Sequence, residues 1–206
     1  MSERSPRNPV QQIGILVFPD AEELDFVGPW EVFAMAAAVV GDLRVALVAE
    51  RAEPLRCAKG LRVLPDHDFA TAPALDLVLV PGGQGTRAEA ENPRLLEWLA
   101  RTAARCTWVA SVCTGSLLLH AAGPGRGKRM TTHWAFVEEL RRRAPDAAIV
   151  AGPRYVRDGN LVTAAGVSAG IDMALWLVGE IWSPEAARAT QRAIQYDPAP
   201  PWTAEV

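Results

Sequence analysis

Five stretches of the chain are dominated by apolar residues: Gln12–Phe18, Leu43–Ala49, Asp76–Val80, Thr107–Val112 and Leu161–Ala164. Several are nearly continuous rather than alternating, which predicts parallel strands covered on both faces. A shorter pair, Ala148–Val150 and Arg154–Val156, also reads as strand. Helical runs fall between them, at Ala21–Val39, Asn92–Arg105, Ser116–Ala122, Trp134–Arg143, Val167–Ile181 and Pro184–Gln195. This alternation predicts an α/β fold, a flavodoxin-like doubly wound sandwich with a mostly parallel central sheet.

The turn residues agree. Ser183 caps a helix whose first residue is Pro184, and Arg157-Asp158-Gly159-Asn160 makes a hairpin turn between two short strands. Residues 1–10 are expected to form a disordered tail and 11–206 a single domain, closed by an extended proline segment from Asp197 to Trp202. No repeat or linker divides the chain.

Composition narrows the classes. With 206 residues, half of them hydrophobic, the chain can bury one substantial core. The 21 Lys and Arg against 24 Asp and Glu leave a net charge of -3 and no basic face, so nucleic acid is not expected as a partner. The one basic run, Arg141-Arg142-Arg143, complements a helix C-terminus. Three cysteines without a CxxC pair make no disulfide framework, and the start of the chain has no apolar signal region, so a cytoplasmic location is expected. No membrane span is expected either: Met173–Gly179 is flanked by Asp172 and Glu180. His67, His120 and His133 lack metal-ligand spacing, and Asp66-His67-Asp68 reads as surface polar structure, so no metal and no cofactor are expected.

The chemistry concentrates where the fourth strand ends. In Ser111-Val112-Cys113-Thr114-Gly115-Ser116, a strand runs through a cysteine straight into a small-residue helix, the architecture of a nucleophile elbow. Such a turn strains its central residue, and the free N–H groups and dipole of the new helix favour thiolate, so a lowered Cys113 pKa is expected. The competing reading is a small buried apolar residue, but Gly115 and Ser116 at the helix start favour the elbow. Cys57 and Cys106 have no such surroundings and read as structural.

In open α/β sheets, ligand sites gather at the carboxyl ends of parallel strands. After the first strand lie Asp20, Glu22, Glu23 and Asp25; after the third lie Gly82 and Gly83. Asp25 stands apart because it sits between Leu24 and Phe26, where burial would raise its pKa and let it carry a proton at neutral pH. Its alternative role is a helix cap. Gly82 and Gly83 make a tight turn or let backbone N–H groups approach a developing charge. For His133, general base to Cys113 and a packed, non-catalytic ring both stand. Trp30, Val32 and Phe33 form either an apolar surface or core.

Together these segments resemble the ThiJ/PfpI superfamily of the class I glutamine-amidotransferase-like fold. The resemblance is carried by Gly14–Pro19, Leu24–Pro29, Pro81-Gly82-Gly83 and Ser111–Gly115. It continues through Gly127–Trp134, Val156–Thr163, Ser168–Asp172 and Tyr196–Trp202. Within the superfamily the chain is similar to the branch that hydrates isocyanides. Peptidase members carry a histidine directly after the nucleophile, where Thr114 stands here, and glyoxalase and deglycase members place a glutamate where Asp25 stands. The resemblance implies addition of water to an isocyanide to give an N-substituted formamide, through a Cys113 thioimidate. Asp25 would carry protons and Thr114 would assist with its N–H and hydroxyl. Gly82, Gly83 and His133 would line the substrate side, and the assembly would be a homodimer. Asp172 is read as structural, tying down a neighbouring loop. Two alternatives remain: a ligand- or redox-sensing domain like those of AraC-type regulators, and a glyoxalase- or deglycase-like activity. The chain stops at Val206, where a regulator's DNA-binding domain would begin, which favours the enzyme.

Overall fold

The computed structural model of the chain describes residues 10–198. Its strands are β1 (Gln12–Leu16), β2 (Arg44–Ala49), β3 (Leu55–Arg56), β4 (Arg62–Val63), β5 (His67–Asp68), β6 (Leu77–Val80), β7 (Trp108–Val112), β8 (Arg129–Met130), β9 (Ala148–Ile149), β10 (Tyr155–Asp158) and β11 (Leu161–Ala164). Its α-helices are α1 (Glu23–Val40), α2 (Thr86–Glu89), α3 (Pro93–Ala103), α4 (Gly115–Ala122), α5 (Val137–Arg143), α6 (Ala169–Ile181) and α7 (Pro184–Ala193).

Seven strands make the central sheet in the order β10-β11-β7-β6-β1-β2-β5. Every neighbouring pair is parallel except the edge pair β10–β11, joined by the predicted hairpin turn with Gly159 at φ 65°. β6, β7 and β11 are buried at every position. Helices α1, α6 and α7 pack on one another over one face, and α2, α3 and α4 cover the other. The α/β sandwich with a mostly parallel sheet is therefore as the apolar runs predict.

Local signals start the helices. The Asn92 side chain accepts from the Arg94 and Leu95 N–H groups ahead of Pro93, and the Ser183 hydroxyl accepts from the Ala186 N–H ahead of Pro184. α1 and α6 approach closely because Gly28 presents no side chain: a Cβ there would lie 2.9 Å from Ile171 Cγ1. That contact brings the first turn of α1, with Asp25, beside the start of α6.

The structure departs from the sequence reading in several places. The run Trp134–Arg143 splits into a short 3-10 helix, Trp134–Phe136, and α5. Val167 and Ser168 precede α6 rather than begin it. The two-residue strands β3, β4, β5 and β8 and the single turn α2 had no periodic signal. Asp66-His67-Asp68 holds the sheet edge: Asp66 accepts from the Leu47 N–H, and Asp68 from the Ala70 and Thr71 N–H groups. Val10, assigned to the tail, is packed in the core. The rest of that tail and the proline segment beyond 198 lie outside the described residues. Among the described residues no helix is long and apolar enough to cross a membrane.

Candidate active site

Cys113 sits one residue past the end of β7 at φ 57°, the left-handed region that a residue with a side chain enters at a cost of about 1–2 kcal/mol. The strain is held by its surroundings. Its N–H donates to the Ala164 carbonyl (3.1 Å), and its own carbonyl accepts from the Thr132 hydroxyl (2.9 Å) and the Ser116 hydroxyl (3.2 Å). α4 begins two residues later, so this is the expected nucleophile elbow. The residue is 7% exposed.

Asp25, in the first turn of α1, is completely buried and lies close enough to the Cys113 thiol that each group shifts the other's titration. Its carboxylate oxygens are each held by a backbone donor from a distant element: the Gly82 N–H reaches Oδ2 (2.9 Å) and the Val167 N–H reaches Oδ1 (3.1 Å). Burial pushes its pKa up to about 7, with Glu22 adding to the rise and the two N–H donors opposing it. The carboxyl group is therefore poised to give and take a proton at neutral pH, as the apolar neighbours Leu24 and Phe26 led one to expect. The cap reading is not met: the residue preceding α1 is Glu22, and no side chain caps the helix.

The expected lowering of the Cys113 pKa is overturned. Burial, followed by the nearby Asp25 carboxylate, pushes the thiol up to about 12, outweighing the Thr114 N–H and hydroxyl that favour thiolate. A helix N-terminus offers partial charges, whereas burial removes the hydration of a full one. The resting pair is therefore a thiol beside a carboxyl group whose pKa lies near neutrality.

Thr114 carries the network onward. Its hydroxyl accepts from the Gly83 N–H (3.0 Å) and lies 3.1 Å from the Thr86 hydroxyl. Gly82 is wedged between the reactive groups: a Cβ there would lie 2.5 Å from Thr114 N and 2.8 Å from Asp25 Oδ2. The N–H groups of Gly82 and Gly83 are thus engaged with Asp25 and Thr114 rather than offered to a substrate. His133 is not paired with Cys113. Its Nδ1 accepts from the Ala135 N–H (3.3 Å), and its ring packs against Trp134 and over Gly166.

Three contributors escaped sequence reading. Thr132 anchors the elbow carbonyl, and Val167, itself at φ 46°, delivers an N–H across 142 positions of chain. Arg87 is the third: its guanidinium donates to the Gly83 carbonyl (3.0 Å), stacks over Phe136 at 4.6 Å, and is the cation whose field reaches Cys113. Only the position of Thr86 and Arg87 just past the glycine turn hinted at this. Cys57 and Cys106 are buried, with thiols pushed up to about 11 and about 12, as structural cysteines. Among the described residues no cluster of three or more histidine, cysteine or acidic side chains is placed to hold a metal.

Fold and site together define a class of protein: an α/β sandwich with a cysteine on a strand-to-helix elbow beside a buried carboxyl group from the first helix. The chain belongs to the DJ-1/PfpI family, whose profile matches residues 11–180. It is 42% identical over 191 residues to the isonitrile hydratase of Pseudomonas putida, covering 93% of this chain and 81% of that protein. A glutathione-independent glyoxalase of Caenorhabditis elegans is 26% identical over 184 residues, 85% of this chain and 91% of that one. Among solved structures, a ThiJ/PfpI family protein from Pseudomonas syringae superposes with a TM-score of 0.86 at 35% identity, covering all of this chain and 86% of its own.

Proposed function

We propose that this chain hydrates isocyanides to N-substituted formamides, with Cys113 as nucleophile and Asp25 as proton carrier. The observation that carries the reading is the buried Cys113–Asp25 couple, in which the acid titrates near neutrality and the thiol waits for a base. The likeness to an isonitrile hydratase supplies the substrate class. In the first half-reaction the Cys113 sulfur bonds to the terminal carbon of R–N≡C while its proton passes to the Asp25 carboxylate. Asp25 then gives that proton to the same carbon, leaving the thioimidate R–N=CH–S–Cys113. In the second, Asp25 takes a proton from water as the water oxygen bonds to the carbon, and passes that proton to the nitrogen, giving R–NH–CH(OH)–S–Cys113. The C–S bond then breaks, the hydroxyl proton passes by way of Asp25 to the sulfur, and R–NH–CHO departs. No metal or cofactor enters this balance.

Thr114 assists by presenting its N–H and hydroxyl to the sulfur as charge develops there. Gly82 and Gly83 act by holding Asp25 and Thr114 and by leaving the space beside them free of side chains. His133 is assigned to the substrate-side wall. A homodimer belongs to the same reading. Val32 and Phe33 are core, but Leu24, Val27 and Trp30 are exposed on α1 and offer an apolar face to a second copy. So does a cytoplasmic setting, since Cys57, Cys106 and Cys113 are all free.

Incubation with cyclohexyl isocyanide, followed by detection of the formamide, tests the reading directly, with Cys113→Ala and Asp25→Asn abolishing product. A wild-type protein that yields no formamide but converts methylglyoxal to lactate would transfer the site to glyoxalase chemistry. A redox-sensing role predicts instead that mild peroxide converts Cys113 to the sulfinic acid without loss of fold.

A further inference from the structure

We propose that Arg154, Asp172 and Tyr196 form a clamp whose task is to press the Val167 N–H onto the Asp25 carboxylate, making them positioning residues for proton transfer. The inference rests on Asp25 being the proton carrier. Val167 is a β-branched residue at φ 46°, a conformation it would leave unless held. Its neighbours supply the hold. Ser168, next in the chain, accepts from Arg154 Nη2 (3.3 Å), and Arg154 Nε donates to Asp172 Oδ2 in the first turn of α6. The other oxygen of Asp172 accepts from the Tyr196 hydroxyl (2.9 Å), which ties the chain beyond α7 to the same point. Behind the clamp, the Ala165 N–H donates to the Arg154 carbonyl (2.8 Å), so the segment between β11 and α6 is gripped on both sides of Val167.

With the clamp released, Val167 relaxes toward negative φ and turns its N–H off Asp25, which loses one of the two backbone donors that favour its charged form. The charged and titratable groups facing the two carboxyl groups are few. Asp25 faces Glu22 at the start of its own helix, Cys113 on the elbow and, at longer range, Lys59 between β3 and β4. Asp172 faces Arg154, Tyr196 and Tyr155. This fixes the sign of the test. Removing the negative charge of Asp172 would, through space alone, favour an ionised Asp25 and lower its titration midpoint. Release of the clamp raises it.

The experiment follows Asp25 itself by infrared difference spectroscopy across pH, subtracting Asp25→Asn, in wild type, Asp172→Asn, Tyr196→Phe and a control, Glu180→Gln, further along α6. Near-ultraviolet circular dichroism confirms the fold of each variant. The expected result is a wild-type midpoint near pH 7. Asp172→Asn and Tyr196→Phe should raise it by roughly half to one pH unit, and Glu180→Gln should leave it in place. An Asp25 that does not titrate near neutrality in wild type would overturn the underlying reading. An Asp25 that titrates as expected but keeps its midpoint in both clamp variants, or moves equally in the control, would overturn the clamp.

Discussion

Replacing Asp25 with Asn separates the cost of burying its charge from everything else it does. Its folded pKa of about 7 lies above the ordinary 3.8, so the folded chain keeps a proton that the unfolded chain has released. The sign follows: stability falls as pH rises from about 4 to 7 and is level above that. Three pH units at 1.36 kcal/mol each make the fully developed cost about 4 kcal/mol above pH 7, against about 1.5 kcal/mol at pH 5. Asn carries no charge at any pH, but its amide can accept from only one of the Gly82 and Val167 N–H groups. That leaves one buried donor unmet, a loss of about 1–3 kcal/mol that does not depend on pH. The constant cancels when two pH values are compared. Relative to wild type, the Asn variant should therefore gain about 3 kcal/mol between pH 5 and pH 8. Urea unfolding followed by tryptophan fluorescence at the two pH values measures it. An equal stability difference at both would refute the buried, titrating carboxyl group.

Other substitutions probe the parts around it. Gly82→Ala drives a methyl group against Thr114 N and Asp25 Oδ2 and should lower turnover by about a hundredfold with circular dichroism unchanged, as expected for a displaced reacting pair; retained turnover would contradict the wedge. Thr132→Val removes one of the two hydroxyls that hold the Cys113 carbonyl and should cost about 0.5–1.5 kcal/mol in urea unfolding, because that buried acceptor keeps only the Ser116 hydroxyl. Arg87→Met removes a cation electrostatically coupled to Cys113, which disfavours the thiolate, and iodoacetamide labelling of Cys113 should slow by about three- to tenfold.

Much of the fold was legible because its signals are local and redundant. The buried strands β6, β7 and β11 are unbroken apolar runs, and α3 and α7 announce themselves by cap and proline. The elbow was legible too, since a strand ending in Cys113 and a helix opening at Gly115 leave one geometry between them. What escaped depends on contacts remote in sequence. β3, β4, β5 and β8 are two residues long and exist through their partners, and the Val167 N–H meets Asp25 only because α1 and α6 pack at Gly28. The thiol pKa was misjudged for the same reason. The helix start is visible in sequence, whereas the depth of Cys113 and the proximity of Asp25 are properties of the folded chain. For His133 the sequence left a general base and a packed ring both open, since it could not fix the distance to Cys113; the ring packs against Trp134 and over Gly166, with Nδ1 accepting from the Ala135 N–H.

The central claim is that the sulfur of Cys113 bonds covalently to the substrate carbon under control of Asp25. Quenching the protein during turnover with an aryl isocyanide in heavy-oxygen water and weighing the intact chain and its peptides measures this directly. The account predicts an adduct of one isocyanide on the Cys113 peptide of the wild type, absent from Asp25→Asn, and heavy oxygen in the released formamide. Formamide formed by wild type with heavy oxygen but with an adduct on another residue, or formed undiminished by Cys113→Ala, would contradict it.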